Sequence, residues 1–233
     1  MADSNSGEDK IIQALSIDTV VFGFENAELY VLLIKRGPGP AEGEWALPGG
    51  YIRYSESVDA AAYRILTDLT AVSDIYLEEL KTFGEVDRYP GARVITVAYY
   101  ALVNKEAFFI ERGDGVAEVR WFKIHNMPKS MVFDHREIFD FAFKRLKHRV
   151  QHEPIGFSLL PVKFTLLQIK QLYDCILERE LDKSNFRKKL IRMNLLIPCD
   201  EKQKDVAHRA ARLYRFDEEV YNELLKKGFV FEL

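Results

Sequence analysis

Residues 57–69 read Ser-Val-Asp-Ala-Ala-Ala-Tyr-Arg-Ile-Leu-Thr-Asp-Leu. Val58, Ala61, Ala62, Ile65, Leu66 and Leu69 recur at i, i+3, i+4 and i+7, a spacing that predicts an amphipathic helix. Before it lies a long loop, Gly37-Pro38-Gly39-Pro40-Ala41-Glu42-Gly43, which ends in Trp45-Ala46-Leu47-Pro48-Gly49-Gly50. Ser16–Phe22 and Tyr30–Lys35, rich in Val, Ile and Leu, read as strands joined by a turn around Glu25-Asn26-Ala27. Further strands are expected at Lys81–Val86, Val94–Leu102 and Glu118–Lys123. Asp134 is placed to cap a helix over Arg136–Val150, where Ile138, Phe141, Ala142, Leu146 and Val150 keep helical spacing. Strands, one helix, more strands and a second helix describe a mixed α/β or α+β sandwich.

Gly50, five residues, Glu56, seven residues, then Arg64-Ile65-Leu66-Thr67-Asp68-Leu69-Thr70-Ala71-Val72 resembles a Nudix box, and Leu47-Pro48-Gly49-Gly50 resembles that family's approach to its helix. The resemblance covers about Ile12 to Lys147 and implies a Nudix α/β/α sandwich. In the family three box glutamates supply metal binding and base chemistry. Here those positions hold Ile65, Asp68 and Leu69. Ile65 and Leu69 share one helix face, and neither can offer the hard oxygen ligands that Mg²⁺ requires. The expectation is a retained fold, no hydrolysis, no metal and no cofactor, with Asp68 a helix-surface charge and Arg64 anchoring the loop that carries Glu56.

A pocket without its catalytic metal can still bind. Lys35, Arg36, Gly49, Gly50, Glu56, Asp87, Arg88, Arg93 and His135 are the candidate effector contacts. Asp87-Arg88-Tyr89-Pro90-Gly91-Ala92-Arg93 resembles the arginine-rich loop of ADP-ribose-recognising Nudix members, and arginine suits bidentate contact with phosphate.

Composition bounds the rest. The 233 residues are 48% apolar, with 33 basic and 36 acidic side chains, which excludes a mainly disordered chain. No apolar run nears the ~18 residues that span a bilayer, and the polar N-terminus is the reverse of a secretion signal. Two cysteines, Cys175 and Cys199, make neither a disulfide scaffold nor a zinc cluster, so a cytoplasmic location is expected. Charge is unevenly spread. Leu159–Leu233 holds 15 basic and 12 acidic residues, and within Lys183–Arg215 ten basic residues face three acidic ones. An acidic body with a basic module is implied. The seam is expected near Gln151–Pro161, where Pro154 and Gly156 punctuate the chain, giving a first domain over 1–152 and a second over 153–233.

In that second part, Thr165 and Gln168 have capping-box spacing at the head of a helix that reaches about Leu177. Asp182 can cap a second helix over Lys183–Met193, with Asn194 as its stop. Two helices joined by about four residues have helix-turn-helix spacing. Phe186, Leu190 and Met193 form one stripe of the second helix; Ser184, Asn185, Lys188 and Arg192 lie opposite, with Arg187 on the flank and Lys183 at the head. That face lacks acids, and its lysine, arginine and asparagine side chains suit phosphates and base edges. Leu195–Cys199 and Ala211–Phe216 read as strands flanking a basic loop with His208 and Arg209, beside Arg212; Asp217–Lys227 reads as a last helix closed by Gly228.

Helix, helix, strand, basic loop, strand is the layout of a winged helix. The stretch from Gly156 resembles the DNA-binding domain of Nudix-related transcriptional regulators of the NrtR/AraR type. The resemblance implies a homodimer on double-stranded palindromic operator DNA. It also implies an effector that is either an ADP-ribose-like metabolite or a small sugar such as arabinose; loss of the metal face, the usual partner of a diphosphate, favours the sugar. The alternatives are an active Nudix hydrolase acting on ADP-ribose or another nucleoside diphosphate derivative, and a protein-interaction adaptor.

Overall fold

The computed structural model describes residues 14–73, 75–203, 210–229 and 231. Its centre is β1 (Ala14–Glu25), which runs parallel to β6 (Val94–Asn104) along one edge. Along the other edge it pairs antiparallel with β2 (Glu28–Arg36) and with β4 (Gly49–Tyr51). β5 (Glu78–Phe83) adds outside β6, while β3 (Trp45–Ala46) and β7 (Val116–Lys123) both pair with β2. The hairpin between β1 and β2 turns on Asn26 and Ala27, with φ of 50° and 60°. Two successive positive φ values give the turn whose twist matches the flanking strands.

Side chains of β1 alternate between the two faces of the sheet, as strand geometry dictates. Ile17 and Val21 face α1 (Val58–Thr70), whose Ala61, Ala62, Ile65 and Leu66 are buried against them. Val20, Phe22 and Phe24 face α2 (His135–His152), which contributes Ile138, Phe139, Ala142, Leu146 and Val150. The result is the α+β Nudix sandwich, followed by a winged helix: α3 (Leu166–Leu177), α4 (Lys183–Arg192), the antiparallel pair β8 (Leu196–Lys202) and β9 (Arg212–Phe216), and α5 (Glu218–Lys226). No helix among the described residues is long and apolar enough to cross a membrane.

Two expectations change. The loop read across 37–50 contains β3 and β4, too short to show a hydrophobic period. β5 ends at Phe83 rather than Val86, because Arg93 takes the carbonyl oxygens of Gly84 and Glu85, at 2.7 and 2.8 Å, out of the ladder. The segment around Gln151–Pro161, where the seam is expected, is packed rather than extended. Pro154–Leu159 forms a 3₁₀ helix with Pro154, Gly156, Phe157 and Leu159 buried. Gly156 serves close packing, since a Cβ there would lie 3.2 Å from Val150 and 3.3 Å from Tyr173. One hydrophobic cluster therefore runs from Phe22 and Leu33 through Leu146 and Val150 to Ile169, Tyr173, Phe186 and Leu190.

Candidate functional site

A cavity of about 190 Å³ opens where β1, β4, the loop before β6 and the head of α2 meet. Arg36, Gly49, Gly50, Arg88 and His135 line it, together with Asp18, Tyr51, Tyr89 and Phe133. The rings of Tyr89 and Phe133 lie 4.6 Å apart, and the Arg36 guanidinium stands 5.7 Å from the Phe133 ring. Burial, together with the Tyr89 hydroxyl it pairs with, holds the Tyr51 hydroxyl above its ordinary pKa, against the pull of Arg36. Aromatic faces beside two guanidinium groups can take a planar base and an anion.

The cavity floor is a buried ion network. Arg88 Nε and Nη2 donate to the two carboxylate oxygens of Asp134, each at 2.7 Å, and Nη2 also donates to Asp18 at 3.2 Å. All three side chains are largely buried. Gly49 permits this, because a Cβ there would lie 2.2 Å from the Asp18 carboxylate. His135 Nδ1 accepts the backbone N–H of Leu47 at 2.9 Å, and its Nε2 faces Asp18 at 3.5 Å. Burial pushes the His135 pKa down, against the attraction of Asp18 and Asp134. The cap expected from Asp134 is not made. It occupies the N-cap position of α2, yet its side chain accepts nothing from the helix, because the Arg88 pair claims both oxygens.

On α1 two of the three box positions offer no oxygen donor. Ile65 is 2% exposed, and Leu69 packs beside the same core. Glu56 is held by Arg64 at 2.5 and 2.7 Å and by the Arg53 amide at 2.8 Å, which lowers its pKa to about 2. Arg64 also donates to the Tyr51 carbonyl and lies 3.6 Å from Asp68, which is exposed. Ile65 and Leu69 thus supply no hard oxygen ligand for Mg²⁺, and the Glu56 carboxylate is committed to Arg64. Ala71, where the family pattern has glycine, closes α1 in the left-handed region at φ 58°.

Of the other expected effector contacts, Lys35 lies 5.9 Å over the Trp45 ring, and Arg93 holds the Gly84 and Glu85 carbonyls. Asp87 and Asp134 line a neighbouring cavity of about 450 Å³, with Arg88 and Phe133 on the wall it shares with the first. Asp18, Tyr51, Tyr89 and Phe133 were not among the expected contacts. An acid inside the apolar run SIDTVVF was a signal for Asp18; the rings come together only in the fold.

In the winged helix, the capping box of Thr165 and Gln168 is made, and Asp182 accepts the Asn185 amide at 2.8 Å. Asn194 ends α4 at φ 55°. Phe186 and Leu190 are buried, while Lys183, Ser184, Asn185, Arg187, Lys188 and Arg192 are all exposed. β9 is tied to the head of α3 by reciprocal bonds between Phe164 and Tyr214 at 2.9 and 2.8 Å. A cleft of about 640 Å³ separates α3 and α4 from this hairpin, lined by Lys170, Lys183, Arg187, Lys202 and Arg212. Arg212 is exposed and donates to the Cys199 carbonyl at 3.3 Å. His208 and Arg209 lie outside the described residues.

Residues 13–141 match the NUDIX domain family, and residues 156–216 match the NrtR DNA-binding winged helix domain. The ADPR responsive transcriptional repressor NtrR of Acinetobacter baylyi is 31% identical over 205 residues, covering 87% of this chain and 81% of the relative. The crystal structure of Shewanella oneidensis NrtR complexed with a 27mer DNA superposes with a TM-score of 0.75 at 30% identity, over 87% of this chain and 93% of that one. The NUDIX domain of the same NrtR, complexed with ADP ribose, gives 0.54 at 32% identity, over 61% of this chain and 94% of that one. The chain belongs to the NrtR family of transcriptional regulators, in which a Nudix domain is joined to a DNA-binding winged helix.

Proposed function

We propose that this protein is a cytoplasmic, homodimeric repressor whose winged helix holds double-stranded operator DNA and whose Nudix domain senses ADP-ribose, or a nucleotide very like it, without hydrolysing it. The observation that carries the reading is the exposed, acid-free face of α4 in a winged helix-turn-helix. Six side chains on it, from Lys183 to Arg192, can reach phosphates or base edges. The proposed division places the sensor at 1–152 and the DNA-binding unit at 153–233.

The choice of effector rests on the pocket. Arg36 and Arg88 beside Tyr51, Tyr89 and Phe133 suit an anionic nucleotide better than a neutral sugar. Relatives named for ADP-ribose point the same way, so arabinose becomes the control ligand. Absence of hydrolysis follows from Ile65 and Leu69 at the metal positions. Fluorescence anisotropy on the DNA upstream of the protein's own gene, titrated with ADP-ribose and with arabinose, tests the reading. A nucleotide-dependent change in operator affinity is expected, with no AMP released in Mg²⁺. Turnover near ~1 s⁻¹, the low end of ordinary enzymes, assigns the protein to the hydrolases instead.

A further inference from the structure

Arg88 is the one cation in direct contact with Asp18 and Asp134 among the described residues, and His135 beside them is neutral. The cluster therefore carries one excess negative charge. An anion entering the pocket cannot join Arg88 without relieving it. The two carboxylates differ in where else they can go. Asp18 is fixed within β1, in register with Gly49 and Ala98, and its carboxylate lies against Gly49, where an added Cβ would come within 2.2 Å of it. Asp134 is more exposed, 15% against 7%, and stands at the N-cap position of α2 with its cap unmade. The first-turn amides, including those of Arg136 and Glu137, are donors that an N-cap carboxylate ordinarily satisfies.

We infer that Asp134 is an internal competitor of the effector: in the free protein it occupies Arg88, and a phosphate-bearing effector takes Arg88 and sends the Asp134 carboxylate to cap α2. The inference rests on the proposed sensing of an anionic nucleotide. It explains how a pocket can select against neutral ligands, since only an anion replaces what Asp134 supplies to the guanidinium. It also links occupancy to α2, because the displaced side chain changes how the first turn of that helix is held. Arg88 Nη1 donates to no described residue, which leaves an edge of the guanidinium for first contact.

The test uses the full chain, with ADP-ribose as probe. Hydrogen exchange at the Arg136 and Glu137 amides of the wild type should slow about tenfold or more on saturation; unchanged exchange with bound ADP-ribose overturns the inference and leaves the sensing proposal standing. Asp134→Asn keeps a capping oxygen but removes the charge that holds Arg88. Without effector it should slow the same amides, and it should bind ADP-ribose about tenfold more tightly. Asp134→Ala should share the tighter binding without the slowed exchange. Failure of the wild type to bind ADP-ribose sinks the sensing proposal, while the exchange of effector-free Asp134→Asn still decides the competitor. If that exchange matches the wild type, the inference fails.

Discussion

The backbone N–H of Leu47 donates to His135 Nδ1 at 2.9 Å, so the loop that leads into the Nudix helix fixes the tautomer of a histidine 88 residues away. Nδ1 must accept, which leaves the proton on Nε2, facing Asp18 at 3.5 Å. Protonating Nδ1 would set two N–H groups against each other. Burial adds to this, and the folded pKa lies below the ordinary value of 6.5.

A pH dependence with a defined sign results. The unfolded chain takes up a proton at His135 near 6.5, whereas the folded protein resists it. Stability is therefore full above pH ~6.5 and falls as the solution is acidified below that value. Urea midpoints should drop between pH 7.5 and 5.5 in the wild type. The drop should be smaller in His135→Asn, whose amide oxygen can still accept from Leu47. Equal drops in both proteins would place the acid-sensitive group elsewhere.

Restoring one glutamate should not restore a metal site. Ile65 is buried beside Ala61, Leu66 and Tyr99. An unpaired carboxylate there costs about 3 kcal/mol or more, or else stays protonated. Ile65→Glu should unfold at distinctly lower urea and release no AMP from ADP-ribose in Mg²⁺. Mg²⁺-dependent hydrolysis by this single variant would mean that the other donors are in place after all.

Ala71 is an alanine in the left-handed region at the end of α1. Glycine meets no Cβ penalty there, so Ala71→Gly should stabilise the protein by about 0.5–1 kcal/mol. The same change in an exposed helix interior would destabilise by a similar amount. A lowered urea midpoint for Ala71→Gly would contradict this account of the cap.

The features legible in the sequence are those set by local spacing. The capping box at Thr165 and the stripe of Phe186, Leu190 and Met193 depend on neighbours three or four residues apart, and both form as expected. The candidate pocket was half legible. Arg36, Arg88 and His135 stood out by residue type, but Tyr51, Tyr89 and Phe133 meet only through tertiary pairing of β1 with β4 and packing of the 84–93 loop on α2. Asp134 shows why local rules fail at such a place. Its position predicts a cap, but a guanidinium 46 residues away offers two charge-assisted bonds at once. The pairing energy of a distant residue has no trace in the local pattern.

Arg187 and Lys188 point away from the buried stripe of α4, and neither pairs with a carboxylate among the described residues. Arg187→Ala and Lys188→Ala should keep the wild-type melting temperature and weaken operator binding. Removing a side chain that touches one phosphate should flatten the plot of log affinity against log salt by about one unit. Unchanged slopes in both variants would move the phosphate-binding surface to the cleft beside β9, where Lys202 and Arg212 stand.

The route from pocket to DNA is expected to run along α2. Its 18 residues span about 27 Å. Asp134 and His135 at its head line the two neighbouring cavities, and its tail is bound to the winged helix. Lys147 forms an ion pair with Glu178, the residue at φ 51° that ends α3 and begins the turn into α4. Arg149 joins Glu78 of β5, Tyr100 of β6 and Glu153 beside the 3₁₀ helix. A movement of α2 would reach the turn that aims α4 through the Lys147–Glu178 pair. For the effector to matter, it must bind the DNA-competent and DNA-incompetent arrangements differently. A coupling of about 1–3 kcal/mol corresponds to a 5–150-fold change in operator affinity. Lys147→Met keeps an unbranched aliphatic side chain and removes the ammonium that pairs with Glu178 and stands 4.3 Å over the Phe143 ring. The variant should bind ADP-ribose as the wild type does and bind effector-free operator within about threefold of it. Its response to ADP-ribose should shrink by at least half on the free-energy scale. Titrations of operator binding with and without saturating ADP-ribose, run on both proteins, measure this directly. An undiminished response would show that the signal bypasses the Lys147–Glu178 pair, leaving the Arg149 cluster as the next junction to cut.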